Sequence, residues 1–206
     1  MSRNDRLYWD EAWEKEKASR QKKQASPFQK GKKQGARWDP FISNCNHWRQ
    51  PFDLEDGLQV FASAWMDRPN RPDGSGGFTG PPDVGLYLDT RWASDQLLVS
   101  PGTVGHFTRG CSAKTQVVQF PWPDYGLPQD ERCLVKVLKW LLAQASKGRT
   151  VEIGCMGGHG RTGTVLAALL VLQGLSSQSA TKRVWRRYCE NAIESQKQLA
   201  FLRALR

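Results

Sequence analysis

The residues best suited to chemistry stand in one short run, Gly154-Cys-Met-Gly-Gly-His-Gly-Arg-Thr-Gly163. In it a nucleophilic thiol, Cys155, is separated by five residues from Arg161, whose planar guanidinium can grip two oxygens of a phosphate. The intervening glycines let the backbone curl until successive N–H groups face one point, and such a nest beside a helix N-terminus binds an anion. The same field lowers the pKa of a cysteine, so we expect Cys155 to be a thiolate near neutral pH. The run therefore predicts a phosphate-holding catalytic loop.

The residues of this loop are expected to contact either the substrate phosphate or the Cys155 sulfur. Its backbone amides and the Arg161 fork would bind the substrate phosphate, and Thr162 would hydrogen-bond to the sulfur. His159 is expected as a polar or cationic neighbour of the phosphate. The predicted phosphate-binding set is Met156, Gly157, Gly158, His159, Gly160 and Arg161. A Walker-type nucleotide loop is excluded because no lysine precedes Thr162.

A second reactive group stands about thirty residues upstream, in the segment Gln119-Phe-Pro-Trp-Pro-Asp-Tyr-Gly-Leu-Pro128. Cleavage of a phosphate ester by a thiolate needs an acid that protonates the leaving oxygen. Asp124 lies on a loop bounded by proline and glycine at the end of a predicted strand, so its carboxyl can supply that proton. We predict Cys155, Arg161, Asp124 and Thr162 as the catalytic residues.

A scaffold must bring these two loops together, and the sequence predicts one. Short β-branched runs predict strands, and longer amphipathic or apolar runs predict helices. The strands are expected at 57–65, 84–89, 115–120 and 150–154, the helices at about 130–146, 164–172, 177–189 and 195–205, and loops or connections at 38–56 and 100–108. Such alternation is typical of an α/β fold. We expect one domain with a central, mostly parallel sheet flanked by helices, with Asp124 and Cys155 at the ligand-binding carboxyl ends of strands.

Both reactive segments resemble motifs of the cysteine-based phosphatases, the superfamily that includes the protein tyrosine and dual-specificity phosphatases. Residues 122–128 are similar to the moving acid loop of that family, residues 155–162 to its signature loop, and residues 192–198 to the segment that carries a water-positioning glutamine. The resemblance covers roughly residues 80 to 206. It implies a phosphatase-like fold, a phosphocysteine intermediate, no cofactor, and a water-positioning role for Gln198.

The chain departs from the family pattern at two positions. Family members usually have a histidine immediately before the catalytic cysteine, where this chain has Gly154. That histidine helps to organise the loop and to stabilise the thiolate. Glu194 stands where the first glutamine of the tail would fall if Gln198 matches the second. These departures leave open an inactive phosphate-binding module as an alternative function.

The net charge of +10 is concentrated at the two ends of the chain. Residues 1–37 hold 11 basic and 5 acidic side chains, residues 38–180 hold 12 and 13, and residues 181–206 hold 7 and 2. We therefore predict a basic, partly disordered arm or docking helix over 1–37 and a catalytic domain over 38–206. The arm either keeps the protein in solution, docks a partner, or contacts a polyanion.

The five cysteines are scattered and odd in number, which is typical of a reducing compartment, and we expect a cytoplasmic protein. No run approaches the roughly 18–20 apolar residues of a membrane span. The pair Cys45 and His47 has the composition of half a metal site, but no second pair with ligand spacing follows in the sequence. We therefore expect no metal site.

The combined prediction is a metal-independent phosphomonoester hydrolase. A phosphorylated protein is the expected partner, through tyrosine or dual-specificity phosphatase activity, because the resemblance implies it. A phosphatase of RNA 5′ ends or of phosphoinositides is the alternative, because the basic arm and His159 suit polyanionic substrates. Oligomeric state is not predicted.

Overall fold

The computed structural model describes residues 45–67, 80–89, 92, 104–106 and 116–205. The predicted arm over 1–37 lies outside these ranges. Within them, no helix is long and apolar enough to cross a lipid bilayer.

Six strands form one sheet, in the order β1-β2-β6-β3-β5-β4. They are β1 (Gln50–Asp53), β2 (Gln59–Ala64), β3 (Val84–Tyr87), β4 (Val104–His106), β5 (Gln116–Gln119) and β6 (Val151–Cys155). The four central strands run parallel, and β1 and β4 are antiparallel edges. Every residue of β3 and β6 is buried, as expected of parallel strands covered on both faces. The predicted α/β fold with a mostly parallel central sheet is confirmed.

Four helices accompany the sheet: α1 (Glu131–Ala145), α2 (Gly160–Leu172), α3 (Ser177–Arg187) and α4 (Gln196–Ala204). The Asp130 side chain caps α1 by accepting from the Cys133 amide, as its sequence position predicts. Every residue of α2 from 160 to 170 is buried, and α2 packs against the other three helices. The central helix therefore begins directly after the reactive loop and is held from several sides.

The structure corrects three boundaries. The predicted loop at 38–56 contains β1, and the predicted connection at 100–108 contains β4. Both are edge strands of three or four residues that pair with one neighbour, so they lack the long apolar run by which a central strand is recognised. Helix α2 begins at Gly160 rather than at Thr164, because the apolar residues that marked it start only after its first turn.

Candidate active site

The predicted reactive residues converge at the carboxyl edge of the parallel strands. Cys155 is the last residue of β6 and is 2% exposed. The adjacent strand β3 ends at Tyr87, and β5, the next strand in the sheet, ends at Gln119; the chain that follows them supplies Asp89 and the segment around Asp124. Because parallel strands end on the same side, loops distant in sequence meet at the Arg161 guanidinium.

Trp92 explains why glycine precedes the reactive cysteine. A Cβ on Gly154 would lie 2.7 Å from the Trp92 indole, so no larger side chain fits there. The Trp92 Nε1–H donates to the carbonyl of Cys155 at 2.9 Å, and its ring stacks on Tyr87 at 4.5 Å. A histidine at position 154, as is usual in the family, would therefore collide with this tryptophan ring. Sequence reasoning missed Trp92 because nothing near it in the chain resembles a catalytic motif.

Arg161 lies in the first turn of α2 and is 4% exposed. Its Nη1 lies 3.0 Å from the Asp89 carboxylate and donates to the carbonyl oxygens of Leu88 and Trp122 at 3.1 and 3.0 Å. Among the described residues, its buried Nε has no hydrogen-bond partner. Nη1 is therefore anchored by three acceptors, whereas Nε is available as a hydrogen-bond donor to an anion. Asp89, which holds this geometry, was also not predicted.

The acid loop is attached to the same guanidinium. Arg161 Nη2 lies 3.3 Å from Asp124 Oδ1, and the Asp124 side chain is 56% exposed, so the carboxyl sits at the mouth of the pocket. The turn is closed by the Gly126 amide, which donates to the Pro123 carbonyl at 3.0 Å, and Tyr125 has a positive φ of 56°. The structure thus brings Asp124 to the phosphate loop, as the sequence predicts.

The electrostatics at the sulfur differ from the prediction. Burial raises the pKa of the Cys155 thiol above its ordinary value. The Thr162 hydroxyl, the charge of Arg161 and the amides of Thr162 and Gly158 lower the pKa but do not compensate. The expectation of a thiolate near neutral pH counted the amide nest and not this desolvation, which opposes it.

Glu194 and Gln198 cover the start of α2. A Cβ on Gly160 would lie 2.1 Å from Glu194 Oε2 and 3.1 Å from Gln198 Nε2. Gln198 is fully buried; its Oε1 accepts from the Glu194 amide at 2.8 Å, and its Nε2 has no partner among the described residues. Burial and the charge of Asp124 raise the pKa of Glu194 to about 7, although the Gly160 amide lowers it. Both tail residues therefore lie beside the loop, with an unused donor on Gln198.

His159 faces a different group of residues. Its Nε2 lies 3.2 Å from His47 Nε2, and the two rings meet edge to face. Burial and the neighbouring His47 lower the pKa of His159 to about 4, so the ring is neutral at neutral pH and the predicted cationic role is wrong. Four side chains of this region could hold a metal ion: Cys45, His47, His159 and Cys189, hereafter the Cys/His cluster. Cys45 and His47 therefore do have a second pair of potential ligands, contrary to the prediction, because His159 and Cys189 come from two separate elements.

The remaining loop residues, Met156, Gly157 and Gly158, contact neighbouring segments mainly through backbone atoms. The Met156 carbonyl accepts from the Met66 amide at 3.1 Å, and the Gly158 carbonyl accepts from the Tyr188 hydroxyl. Gly158 has a φ of 73°, and a Cβ there would lie 2.8 Å from His47, so glycine is required on both grounds. Gly157 lies beside the His159 ring, where a Cβ would be 3.5 Å from Nδ1. These contacts fix the loop backbone against the segments that carry Met66, Tyr188 and His47.

Comparison with known proteins identifies relatives of this chain. A family model described as Swiss Army Knife protein, DSP-PTPase phosphatase domain, matches residues 103–206, half of the chain. Two uncharacterized proteins of Methanocaldococcus jannaschii are 40% and 38% identical over 84 and 91 residues, which is 40% and 43% of this chain. The chain spans about half the length of these curated relatives, 50% and 58%.

A solved structure shows the same fold. A glycine-to-alanine mutant form of Tk-PTP matches with a TM-score of 0.51 at 23% identity, over 77% of this chain and 95% of that one. The active form of Tk-PTP matches with a TM-score of 0.48 at 29% identity, over 60% and 78%.

Proposed function

The chain belongs to the Swiss Army Knife family of dual-specificity-type phosphatase domains. From this premise we propose that it is a cysteine-dependent phosphatase, which hydrolyses phosphate monoesters through a phosphocysteine at Cys155. The observation that carries the proposal is the buried Arg161 fork beside Cys155. Its Nη1 is held by Asp89, whereas its buried Nε has no hydrogen-bond partner among the described residues. A phosphate dianion satisfies that donor and offsets the buried charge.

In the first step the sulfur displaces the alcohol from phosphorus. Because burial raises the pKa of Cys155, we assign its proton to the phosphate dianion on binding, so that a thiolate attacks a monoanion. The S–P bond forms as the P–O bond to the alcohol breaks. Arg161 and the loop amides bind the non-bridging oxygens and stabilise their charge in the transition state, so no metal ion enters the chemical step.

Asp124 is assigned as the general acid of this step. Its carboxyl is 3.3 Å from Arg161 Nη2 and more than half exposed, so it lies where the leaving alcohol departs. The proton passes from the carboxyl to the leaving oxygen, and the resulting carboxylate is stabilised by the guanidinium.

In the second step water attacks the phosphocysteine, and Asp124 accepts its proton as the base. Gln198 is assigned to position this water, since its buried Nε2–H is unused among the described contacts and lies next to Gly160. The S–P bond breaks, inorganic phosphate leaves, and Thr162 stabilises the departing sulfur, whose pKa it lowers. Glu194 lies beside this water site and is half protonated at about pH 7.

A phosphorylated protein is the proposed substrate. Met66 and Tyr125, the large hydrophobic side chains that are exposed among the described residues, adjoin Met156 and Asp124 respectively. We assign these two exposed side chains as apolar contacts for the side chain of a phosphorylated residue.

The test is turnover of para-nitrophenyl phosphate, with a denaturing quench during turnover and mass spectrometry of the peptide that contains Cys155. We expect a phosphoryl group on that peptide in the wild-type protein. Cys133→Ser is the matched control, since Cys133 is a thiol on α1 outside the loop. Turnover without a trapped phosphopeptide at Cys155 would exclude the mechanism, and no turnover at all would favour a binding module.

The basic arm over 1–37 supplies the second substrate hypothesis. It carries 11 basic and 5 acidic side chains, which favours a polyanion such as RNA 5′ ends or phosphoinositides. Deleting the arm tests this hypothesis against phosphopeptide, RNA and inositol-lipid substrates. A salt-dependent loss restricted to the polyanionic substrates would support it, whereas equal kcat/KM for all substrates would leave the phosphoprotein proposal.

A further inference from the structure

The Cys/His cluster draws its members from three parts of the chain that no sequence motif links. Cys45 and His47 precede β1, His159 is the residue before α2, and Cys189 follows α3. One potential ligand atom from each side chain lies within 4.8 Å of those of the other three. We propose that these four side chains bind one Zn²⁺ ion in tetrahedral coordination.

The spacing of the atoms fits that geometry. Zinc binds thiolate sulfur at about 2.3 Å and imidazole nitrogen at about 2.0–2.1 Å, so a tetrahedron places the two sulfurs about 3.8 Å apart and the two nitrogens about 3.3 Å apart. The Cys45 and Cys189 sulfurs are 3.6 Å apart, and the His47 and His159 Nε2 atoms are 3.2 Å apart. The sulfur distance is far from the roughly 2.05 Å of a disulfide bond.

A hydrogen-bond relay orients His47 for ligation. Gln50 Nε2 donates to the Tyr188 carbonyl at 3.2 Å, which fixes the amide so that its Oε1 faces His47 Nδ1 at 2.9 Å. His47 Nδ1 therefore carries the hydrogen, and its Nε2 lone pair points at the cluster. Metal-binding histidines are commonly oriented in this way by an acceptor on the other ring nitrogen.

Both sulfurs have a neighbouring N–H donor from Asn191. Its backbone amide donates to Cys189 Sγ at 3.4 Å, and its side-chain Nδ2 lies 3.9 Å from Cys45 Sγ. Such donors stabilise the negative charge of thiolate ligands. Binding releases two protons, one from each thiol, so Zn²⁺ with two thiolates and two neutral imidazoles forms an uncharged unit that suits a largely buried position.

The ligand types select the ion. Two sulfurs and two imidazoles favour Zn²⁺, whereas Mg²⁺ and Ca²⁺ require oxygen ligands. Four protein ligands leave no position for water or substrate, which is the arrangement of a structural site. The inference therefore adds a structural ion and does not alter the phosphoryl chemistry proposed for Cys155.

The proposed ion would position the phosphate loop. His159 is two residues before Arg161, and the Tyr188 ring, whose hydroxyl donates to Gly158, packs against His47 at 4.7 Å. Coordination would join the segment before β1, the loop and the end of α3 through one point. Loss of the ion is expected to lower the thermal stability and to raise KM through a looser loop.

The first experiment measures zinc in the full chain, purified without chelator, by inductively coupled plasma mass spectrometry. We expect about one zinc per chain, as in closed four-ligand sites. His47→Ala and Cys189→Ser should each lose most of it, and Cys133→Ser should retain it. Retention of zinc by both cluster variants would overturn the proposal.

The second experiment uses the wild-type chain, so that variants that fail to fold do not decide the outcome. Metal is removed with chelator under reducing conditions, and Co²⁺ is added as the probe. We expect sulfur-to-cobalt charge-transfer bands together with the intense visible bands of tetrahedral cobalt, and a rise in Tm on adding Zn²⁺. Absence of these bands, or a Cys45–Cys189 disulfide in the native protein, would refute the site. None of these readouts depends on phosphatase turnover, so the two proposals fail separately.

Discussion

His159, the residue before α2, and Arg161, in the first turn of α2, are two residues apart, yet they have chemically opposite surroundings. Arg161 is a buried cation held by Asp89 and two carbonyl oxygens, with Asp124 near its other nitrogen. His159 is a neutral ring beside a second histidine, because burial lowers its pKa to about 4. The contrast shows how one glycine-rich segment can present a charged donor on one side and an uncharged imidazole on the other.

The difference follows from what surrounds each side chain. On the Arg161 side a carboxylate and two carbonyl oxygens anchor the guanidinium, and the positive charge of that guanidinium suits a phosphate that arrives with two negative charges. The His159 side is lined by thiols, a second imidazole and the ring of Tyr188. This lining disfavours a protonated imidazole, but its sulfur and nitrogen atoms suit a soft metal cation. Measuring activity and zinc content together on each variant separates the two sides.

Cys155→Ser should have the largest effect on activity. We expect turnover to fall below a few per cent, because a hydroxyl has too high a pKa to become the nucleophile in a site that already raises the pKa of a thiol. Zinc content should stay the same, since Cys155 is outside the Cys/His cluster. Retained activity, with the fold verified by circular dichroism, would remove Cys155 as the nucleophile.

Asp124→Asn should lower kcat by about 10²–10⁴, the usual range of general acid catalysis, with little change in KM. The loss should be smaller for nitrophenyl-like than for alkyl-like leaving groups, because the former need less protonation. Kinetics on a series of leaving groups measure this. A uniform loss across the series would contradict the acid role.

Arg161→Lys should lower kcat/KM by about 10²–10³, the range observed when one transition-state donor is removed. Lysine keeps the charge but cannot form the bidentate contact. Arg183→Lys is the matched control, since Arg183 forms a partly exposed ion pair with Glu55. An Arg161→Lys variant that behaves like the control would show that charge alone is sufficient.

Glu194→Gln should have the smallest effect, and it concerns stability. The pKa of Glu194 rises from 4.5 to about 7 in the folded protein, so folding favours the protonated carboxyl. Its contribution to stability is complete below about pH 4.5 and is lost as the pH rises through about 7. Urea midpoints of both proteins at pH 5 and pH 8 measure this. We expect the variant to gain relative to wild type at pH 8, and an unchanged difference between the two pH values would contradict the shift.

The local pattern was enough to predict the α/β fold, the strand before Cys155 and the helix after it. Apolar runs and glycines determine the conformation of only a few neighbouring residues, and Cys155, Arg161 and Thr162 lie close together in the chain. The edge strands β1 and β4 could not be predicted in the same way, because their pairing partners supply the hydrogen bonds and their own residues show no apolar run. The direction in which the pKa of Cys155 shifts could not be predicted from the sequence either, because it is determined by burial in the folded protein.

The sequence by itself determined the central strands, the helices that follow them and the candidate reactive residues Cys155, Arg161 and Asp124, because each depends on residues close together in the chain. Only the tertiary structure decided which residues support them. Asp89 and Trp92 meet Arg161 and Cys155 because parallel strands end at one edge of the sheet. Cys45 and Cys189 are 144 residues apart and meet because the end of α3 and the segment before β1 reach the same side of the loop. Such contacts depend on distance in space, which spacing along the chain does not encode.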